Sequence, residues 1–504
     1  MNRNDFAPHS EKLHKSEQKS YYCTWLAQNF IAERFGKERA AVHPEFAGDQ
    51  GANCARDMLN EHTVFGKGGM AQVNARADLY LVLDDGWDVP YHTASVSKQC
   101  FGSLEVNEAR FPSVNGKPAE RLRVLNERAK SFGWKGLGIW VAAQKCGKSY
   151  NKPFTEADEE SWRERILWCK QAGVTYWKVD WGTSEHDVAF RRFLTEAAAE
   201  LYPELTIEHA VCCPPVNGNT EALQRGAVGR FQDDTKISGL SKQAVAYSEV
   251  FRSYDVTPQF SAASTLDRAA YLLPFAKGYL NVEDELYLAA ALGCQMGVMR
   301  SVYGKGLDEW DDSDRLQEID AALAWQKIAP PFVGGEVETS EEILADEWTF
   351  RENEFWYQPI NGRTIRQGAP AIVSRNAPLA EVKAGATGEK PFVACALNQG
   401  AYSVAVLPRT LNGKRAYVGG KVVCSLPEMP EKIALFGSAE GFEIRWEQGK
   451  AASVTALSLL GGNELEMPLF EAGNRIYIDA EQMKKIWKAD DKSAPAVLFT
   501  IRGN

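Results

Sequence analysis

A lysine and an aspartate stand two residues apart in the segment VTYWKVDWG, which runs from Val174 to Gly182. Because side chains along a strand alternate between its two faces, Lys178 and Asp180 would share one face at the end of an apolar strand. A lysine within about 4 to 6 Å of a carboxylate favours the ionised carboxylate, which suits a nucleophile or an electrostatic stabiliser. A structural Lys/Asp pair is an equal alternative for this motif alone.

A second acidic cluster follows the apolar run LYLVL, where Asp84, Asp85, Trp87 and Asp88 fall within five residues. Neighbouring carboxylates can bind a metal, cap a helix, or accept hydrogen bonds from the hydroxyls of a sugar. The metal interpretation is the weakest of the three, because no histidine or further carboxylate stands at a matching spacing. No metal site is therefore predicted.

A third charged group lies in the segment RFQDDT, which runs from Arg230 to Thr235. Arg230 with Asp233 and Asp234 can form a surface salt bridge, or can supply a second catalytic carboxylate with a cation that orients it. Glycoside hydrolysis requires two carboxylates in different electrostatic settings, one ionised and one carrying a proton. Asp180, beside Lys178, fits the ionised role.

Two further residues stand near predicted strand ends, Trp140 in LGIWVAAQ and His209 in IEHAV. Trp140 read alone is more typical of a core than of a sugar-binding platform. His209 could contact a substrate, but a hydrogen-bonded core histidine is the more frequent outcome for such a position.

Eight apolar runs must position these groups, and helical patterns alternate with them up to about residue 335. We predict strands at Tyr22–Gln28, Leu79–Asp84, Gly136–Ala142, Val174–Asp180, Leu205–Val211, Ala227–Phe231, Val256–Ser261 and Gly293–Arg300. Helices are predicted at Ala119–Ser131, Glu156–Gln171, Asp187–Leu201 and Trp310–Ile328. This alternation indicates the α/β class and a (β/α)₈ TIM barrel. In such a barrel the carboxyl ends of the strands carry the chemistry, and the long polar segment from Pro90 to Pro118 would lie over that face.

The character of the sequence changes after Pro330 and Pro331. From about residue 345, runs of period two such as PAIVSR, VACALN, FEIRW, SVTALSL and AVLFTIR are separated by Gly, Pro and Asn turns. We therefore expect a catalytic barrel over residues 1–335, followed by a C-terminal antiparallel β-sandwich domain over residues 336–504.

Composition excludes several classes of protein. A net charge of −10 argues against nucleic-acid or anionic-membrane partners. No apolar run reaches the length of about 18 residues that a membrane-spanning helix needs. The polar N-terminal segment lacks the apolar centre of a signal peptide, which favours the cytoplasm unless a leader was removed. The ten cysteines show no CxxC spacing, so reduced thiols are expected and no structural zinc site.

The motifs, in this order, resemble those of the α-galactosidase clan of glycoside hydrolases, families 27 and 36. DDGW at 84–87 is similar to the clan's paired-aspartate motif, KVD at 178–180 to its Lys-x-Asp motif, and Arg230-x-x-x-Asp234 to its Arg-x-x-x-Asp. LGIWV and the segment Asn281–Gly297 also resemble parts of the clan's barrel. The family 27 Gly-Trp-Asn-Ser-Trp opening is absent, family 36's β domain before the barrel is missing, and CCPPVNG replaces its Cys-x-x-Gly-Gly segment.

The resemblance implies a retaining glycosidase for a terminal galactose-like sugar, with Asp180 as the nucleophile and Asp234 as the acid/base. It implies no cofactor. Lys178, Asp84, Asp85 and Arg230 would then hold the sugar of a glycoside or oligosaccharide. The pocket would be lined by tryptophans, drawn from Trp87, Trp140, Trp177 and Trp181.

Other functions are compatible with the same motifs. The chain could be a related α-N-acetylgalactosaminidase, β-L-arabinopyranosidase or transglycosidase, or a carbohydrate-binding barrel without turnover. A metal- or phosphate-dependent barrel enzyme is less favoured, because histidine ligands and a Gly-rich phosphate loop are lacking. The sequence leaves open the oligomeric state, the identity of the sugar and the role of the C-terminal domain.

Overall fold

The computed structural model describes residues 19–25, 27–28, 31–32, 52–73, 76–94, 97–185, 187–210, 248–252, 263–266, 286–298, 312–332, 344–347, 370–388, 390–411, 414–470, 472–488 and 493–503. Within these ranges, no helix is both long enough and apolar enough to cross a membrane.

Eight strands in the first part of the chain form one sheet. They are β1 (Tyr21–Cys23), β2 (Tyr80–Leu83), β3 (Leu137–Val141), β4 (Tyr176–Val179), β5 (Thr206–Ala210), β6 (Val250–Arg252), β7 (Ala263–Leu266) and β8 (Gln295–Val298). The strand order is β6-β5-β4-β3-β2-β1-β8-β7. Strands β1 to β6 run parallel, β8 runs parallel to β1, and β7 runs antiparallel to β8.

This sheet agrees in part with the predicted barrel. The first five predicted strands and the eighth correspond to β1 to β5 and β8. The predicted strands Ala227–Phe231 and Val256–Ser261 lie outside the described residues. Strand β5 pairs with β4 along one edge and with β6 along the other. The place beside β5, which the prediction gave to Ala227–Phe231, is therefore taken by β6. The antiparallel β7 departs from an all-parallel barrel, and no hydrogen-bonded pair joins β6 to β7 among the described strands.

The two faces of this sheet bury different residues because side chains alternate along each strand. On the inner face, Tyr21, Cys23, Val82, Tyr176 and Val250 form one buried cluster. The alternate residues pack outward against the helices in the main hydrophobic core; they include Tyr22, Leu81, Leu83, Ile139 and Trp177.

Helices cover the outer face of the sheet. The short helices α1 (Ala52–Asp57), α2 (Glu61–Phe65) and α3 (Met70–Val73) precede β2, and α4 (Pro118–Ser131), α5 (Glu156–Ala172) and α6 (Val188–Leu201) follow β2, β3 and β4. Thr155 and Asp158 form a capping box at the start of α5, which ends at Gly173 in the left-handed conformation. Two later helices are α7 (Leu286–Leu292) and α8 (Asp312–Ile328). All four predicted helices are present within two residues of their expected bounds.

His209 points outward toward α6. Its Nε2 lies 2.8 Å from Thr195 Oγ1, and its Nδ1 lies 3.4 Å from the Arg191 guanidinium. Burial, with the Arg191 charge adding to it, holds the pKa of His209 well below its usual range. The prediction of a hydrogen-bonded core histidine is confirmed.

The C-terminal part is rich in strands, as predicted, but its sheets are mixed. The strands are β9 (Leu344–Glu347), β10 (Pro370–Arg375), β11 (Glu381–Ala384), β12 (Phe392–Asn398), β13 (Ala401–Leu407), β14 (Arg409–Leu411), β15 (Lys414–Ala416), β16 (Gly420–Glu428), β17 (Lys432–Phe436), β18 (Gly441–Gln448), β19 (Ala451–Ser458), β20 (Leu465–Glu466), β21 (Arg475–Asp479) and β22 (Ala496–Gly503), with α9 (Ala480–Trp487) between the last two. They form sheets ordered β20-β19-β22-β17-β13-β12-β10-β9, β11-β16-β18-β21 and β14-β15. The pairs β10/β12, β13/β17 and β16/β18 are parallel, so the expectation of a wholly antiparallel arrangement is wrong.

Helix α7 joins the two parts, and each of its residues is buried, as expected for a helix covered on all sides. Tyr287 donates its hydroxyl to the carbonyl of Ala494 at 2.8 Å. The carbonyl of Ala291 accepts a hydrogen bond from Ser403 Oγ at 2.7 Å, and that of Leu292 accepts one from Arg375 at 3.0 Å. Polar contacts therefore fix α7 to the C-terminal strands within a largely apolar core.

We predict that Tyr287→Phe lowers the free energy of unfolding by about 1–2 kcal/mol, because it removes a buried hydrogen bond and leaves the Ala494 carbonyl without that donor. Tyr477→Phe is the matched control, since Tyr477 is 37% exposed. Urea unfolding of both variants checks the prediction, and an equal effect of the two substitutions would contradict it.

Candidate active site

A buried ion pair occupies the carboxyl end of the first sheet. Lys178 Nζ on β4 lies 2.6 Å from Asp84 Oδ2, in the residue that follows β2, and the lysine side chain is 0% exposed. The backbone N–H of Asp84 donates to Thr24 Oγ1 at 2.9 Å, and Asp84 Oδ1 accepts the backbone N–H of Asp85 at 2.8 Å. These contacts hold the Asp84 carboxylate against the lysine.

Cys23, at the end of β1, is the third member of this cluster. Its Sγ donates to Asp84 Oδ2 at 3.0 Å and lies 3.9 Å from Lys178 Nζ. Burial, and then the Asp84 charge, raise the pKa of Cys23 well above its usual range, so the group remains a thiol and a donor. Sequence reasoning missed Cys23; the available signal was a cysteine at the carboxyl end of a predicted strand.

Asp180 lies on the same face, immediately after β4. Its Oδ2 accepts the indole N–H of Trp140 at 3.0 Å and lies 3.9 Å from Lys178 Nζ. The predicted pairing of Lys178 and Asp180 on one strand face is therefore present, although the lysine is closer to Asp84. A donor and a nearby cation both stabilise a carboxylate, and the Trp140 bond fixes its orientation.

An aromatic cluster stands beside Asp180. The ring of Trp181 lies 4.9 Å from that of Phe101 and 5.4 Å from that of Trp140. Phe101 and Trp140 are 0% and 1% exposed, whereas Trp181 is half-buried. Trp140 therefore supports Asp180 from within the core, and Trp181 is the ring of the three that reaches solvent.

Two other tryptophans predicted to line a pocket lie in the core. Trp87 is 0% exposed and donates its indole N–H to the carbonyl of Trp140 at 2.9 Å. Trp177 points outward from β4, packs at 5.9 Å from the ring of Trp162 on α5, and donates to Cys169 Sγ. Trp87 supports the residue that holds Asp180, and Trp177 stabilises helix packing.

Asp85 is held by an arginine that sequence reasoning did not find. Arg56, on α1, donates through Nε to Asp85 Oδ1 at 2.7 Å and through a terminal nitrogen to Oδ2 at 2.6 Å. Both groups are almost fully buried. Burial raises the pKa of Asp85, against the opposing effect of the Arg56 guanidinium. Arg56 also lies 4.8 Å above the ring of Phe101, so the pair links α1 to the aromatic cluster.

A second buried arginine fixes the segment after β2. Arg110 donates to Asp57 Oδ1 at 2.7 Å and to the carbonyls of Val89, Pro90 and Leu59. The polar Pro90–Pro118 segment, expected over the carboxyl end of the strands, is thereby tied to α1 by charged contacts.

Asp88 is a buried carboxyl group with few partners. Its Oδ2 accepts the backbone N–H of Leu104 at 3.3 Å and lies 3.5 Å from Ser103 Oγ, while Oδ1 has no hydrogen-bond partner among the described residues. Burial, and then the neighbouring Asp85, raise the pKa of Asp88 to about 7. Leu104 has a φ of 55°, a conformation that costs energy for a side chain of this size. The Asp88 carboxyl therefore holds a strained turn.

A second polar layer lies deeper on the inner face. Glu208 on β5 accepts hydroxyl hydrogen bonds from Tyr21 at 2.9 Å and from Tyr176 at 2.7 Å. Gln295 on β8 donates to the Tyr176 hydroxyl at 2.9 Å. This layer ties β1, β4, β5 and β8 together below the Asp84–Lys178 pair.

The remaining predicted site residues, Arg230, Asp233 and Asp234, lie outside the described residues, so their positions relative to Asp180 are not described. In the described part of the chain, no group of three or more His, Cys, Asp or Glu side chains could hold a metal ion. The thiols of Cys23, Cys100, Cys146, Cys169, Cys294, Cys395 and Cys424 are free.

We predict that Arg56→Met lowers the free energy of unfolding by about 3–5 kcal/mol, because it leaves the Asp85 carboxyl buried without its cation. The control is Arg163→Met, which breaks the exposed pair with Glu200 and should cost less than about 1 kcal/mol. Restoration of part of the stability by Asp85→Asn in the Arg56→Met background would support the mechanism. Equal small effects of the two arginine substitutions in urea unfolding would contradict it.

We also predict that Asp88 makes stability depend on pH. Its carboxyl has an ordinary pKa of 3.8 and titrates near 7 when folded, so between these values the folded protein keeps a proton that the unfolded chain releases. Stability should therefore fall by a few kcal/mol as the pH rises from about 4 to about 7. Asp88→Asn should remove this loss and be the more stable protein at pH 8. Urea midpoints at pH 5 and pH 8 test this, and parallel pH profiles for both proteins would refute it.

Comparison with known proteins gives structural similarity only. No protein-family model matches the sequence, and a search of curated proteins finds no match. Among solved structures, the chain is similar to a variant of a glycoside hydrolase family 27 β-L-arabinopyranosidase from Geobacillus stearothermophilus in complex with arabinose, with a TM-score of 0.32, 9% identity and 98% of each chain covered. A β-arabinopyranosidase has a TM-score of 0.28 and 11% identity over 98% of this chain and 57% of that one.

The catalytic domain of a family 30 xylanase C from Talaromyces cellulolyticus has a TM-score of 0.30 and 11% identity, with 98% of each chain covered. Because the TM-scores are near 0.3, the function proposed below rests on the chain's own residues.

Proposed function

We propose that this protein is a retaining glycoside hydrolase that releases a terminal galactose-like sugar by double displacement. The observation that carries the proposal is the cluster of Asp84, Lys178 and Asp180 at the carboxyl ends of parallel strands, with Trp140 donating to Asp180 at 3.0 Å. In α/β barrels this end of the sheet is where catalytic groups are placed.

Asp180 has the surroundings that a carboxylate nucleophile needs. It must be ionised to attack, and the Trp140 N–H and the Lys178 ammonium both stabilise the charged form. It is only 3% exposed, so a bound sugar would meet it in a setting from which water is largely excluded. Hydrogen bonds and charges act strongly in such surroundings.

Asp84 and Lys178 supply polar groups for recognition of sugar hydroxyls. Asp84 presents carboxylate oxygens as acceptors, and Lys178 is a donor. Asp85, whose two oxygens are bound by Arg56, is better suited to fixing Asp84 through its backbone N–H than to meeting the sugar first. The proposed sugar contacts in the described part of the chain are therefore Asp84 and Lys178. Arg230 remains a proposed contact on the basis of the sequence alone.

The second carboxyl is assigned to Asp234 by the spacing Arg230-x-x-x-Asp234. In the first step Asp180 would attack the anomeric carbon, the bond to the leaving oxygen would break, and Asp234 would protonate that oxygen. In the second step Asp234 would take a proton from water, which attacks the anomeric carbon and releases Asp180. The chemistry would belong to residues 1–335, with residues 336–504 as a separate β domain.

We predict that Asp180→Ala lowers kcat on 4-nitrophenyl glycosides by at least about a thousandfold, because no group remains to form the covalent intermediate. Sodium azide should restore turnover in this variant by attacking the anomeric carbon directly. The substrates are the α-galactoside, the α-N-acetylgalactosaminide and the β-L-arabinopyranoside.

Asp187→Ala is the matched control, because Asp187 caps α6 through the Phe190 N–H at 3.1 Å and lies outside the charged cluster. It should reduce stability slightly and leave kcat unchanged. Unchanged activity of Asp180→Ala would contradict the mechanism. Sugar binding by calorimetry without hydrolysis of any substrate would instead indicate a carbohydrate-binding barrel.

A further inference from the structure

Trp181 is the ring of the aromatic cluster beside Asp180 that reaches solvent. Trp181 follows Asp180 directly in the chain, and its ring is tilted by 67° against Phe101 and by 56° against Trp140. Edge and tilted contacts of this kind are favourable for aromatic pairs at these separations. Trp181 is therefore held in a defined position next to the proposed nucleophile.

The supports of Trp181 are themselves fixed. The carbonyl of Phe101 accepts a hydrogen bond from the Gln144 side chain at 3.3 Å, and the Arg56 guanidinium lies 4.8 Å from its ring. The carbonyl of Trp181 accepts the backbone N–H of Ala143 at 2.9 Å. An aromatic ring that is half-buried, and whose backbone and neighbours are fixed, loses little conformational freedom when a ligand stacks on it.

The direction of β4 places Trp181 beyond Asp180, toward the carboxyl end of the sheet. Tyr176, Lys178 and Asp180 follow one another along the inner face toward that end, and Tyr176 belongs to the deeper layer with Glu208. If the sugar contacts Lys178 and presents its anomeric carbon to Asp180, the sugar ring lies on the Lys178 side of Asp180. The leaving group would then extend in the opposite direction, past Asp180 and toward Trp181.

We propose that Trp181 is the platform for the leaving group and favours glycosides whose aglycone can stack on its ring, such as an aryl group or the C–H face of a second pyranose. This inference rests on the proposed glycosidase function and adds a specificity-determining residue to it. Aromatic rings and the C–H faces of pyranoses stack on tryptophan, whereas a methyl aglycone is too small to cover the ring.

The test compares 4-nitrophenyl and methyl glycosides of the same sugar in wild type, Trp181→Ala and Trp181→Phe. Trp181→Ala should lower kcat/KM for the aryl glycoside about 3- to 10-fold, mainly through KM, and change that for the methyl glycoside less than about twofold. Trp181→Phe should retain most of the preference for the aryl glycoside. The inhibition constant of the free sugar should stay unchanged, because it reports only on the inner part of the site.

Trp168→Ala is the matched control. Trp168 is also half-buried, but it lies on α5 beside Arg165, whose guanidinium is 5.7 Å from its ring. This variant should leave both substrates unaffected.

Equal losses on aryl and methyl glycosides in Trp181→Ala, or a weaker affinity for the free sugar, would overturn the assignment and leave Trp181 as a support for Asp180. A wild-type protein that hydrolyses none of the glycosides would overturn the proposed function itself. The two failures are distinguishable, because the first requires an active wild type.

Discussion

The burial of the Lys178 ammonium is the constraint on which the rest of the site depends. Removing an ammonium ion from water costs several kcal/mol unless an opposite charge and hydrogen bonds replace the water. Asp84, at 2.6 Å, is that charge. The two residues belong to β4 and to the end of β2, with β3 between them in the sheet. The pair can therefore form only when three strands keep their register and the sheet curves.

A glycine on β3 allows β2 and β4 to approach each other on the inner face. Gly138 on β3 lies between Val82 and Tyr176, and a Cβ atom there would come within 2.9 Å of both side chains. Two residues nearer the carboxyl end of β3, Trp140 is in register with Lys178, and its indole N–H reaches Asp180. The Lys178 ammonium therefore lies at different distances from two carboxylates: it contacts Asp84 directly and lies 3.9 Å from Asp180. This difference is what gives the two acidic groups separate roles in the proposed reaction.

Local patterns were sufficient to predict much of this arrangement. The strands β1 to β5 and the helices α4, α5, α6 and α8 follow from hydrophobic periodicity, and the shared face of Lys178 and Asp180 follows from strand alternation. Features that depend on distant pairing were not predictable in the same way. The strands β6 and β7 were not among the predicted strands, and the direction of pairing in β7/β8, β10/β12, β13/β17 and β16/β18 is not encoded in the side-chain pattern of either strand. Arg56 reaches Asp85 from α1, 29 positions earlier, and no spacing rule connects them.

The proposed mechanism requires that Asp180 forms a covalent bond with the sugar. A 5-fluoro glycosyl fluoride of the galactose configuration tests this directly, because the ring fluorine slows both steps while the fluoride leaving group speeds the first, so the intermediate accumulates. Peptide mass spectrometry after digestion should find one fluorosugar adduct, on the peptide that contains Asp180, and none in Asp180→Ala. An adduct on a different carboxylate, or full turnover of galactosides with no adduct at Asp180, would contradict the claim.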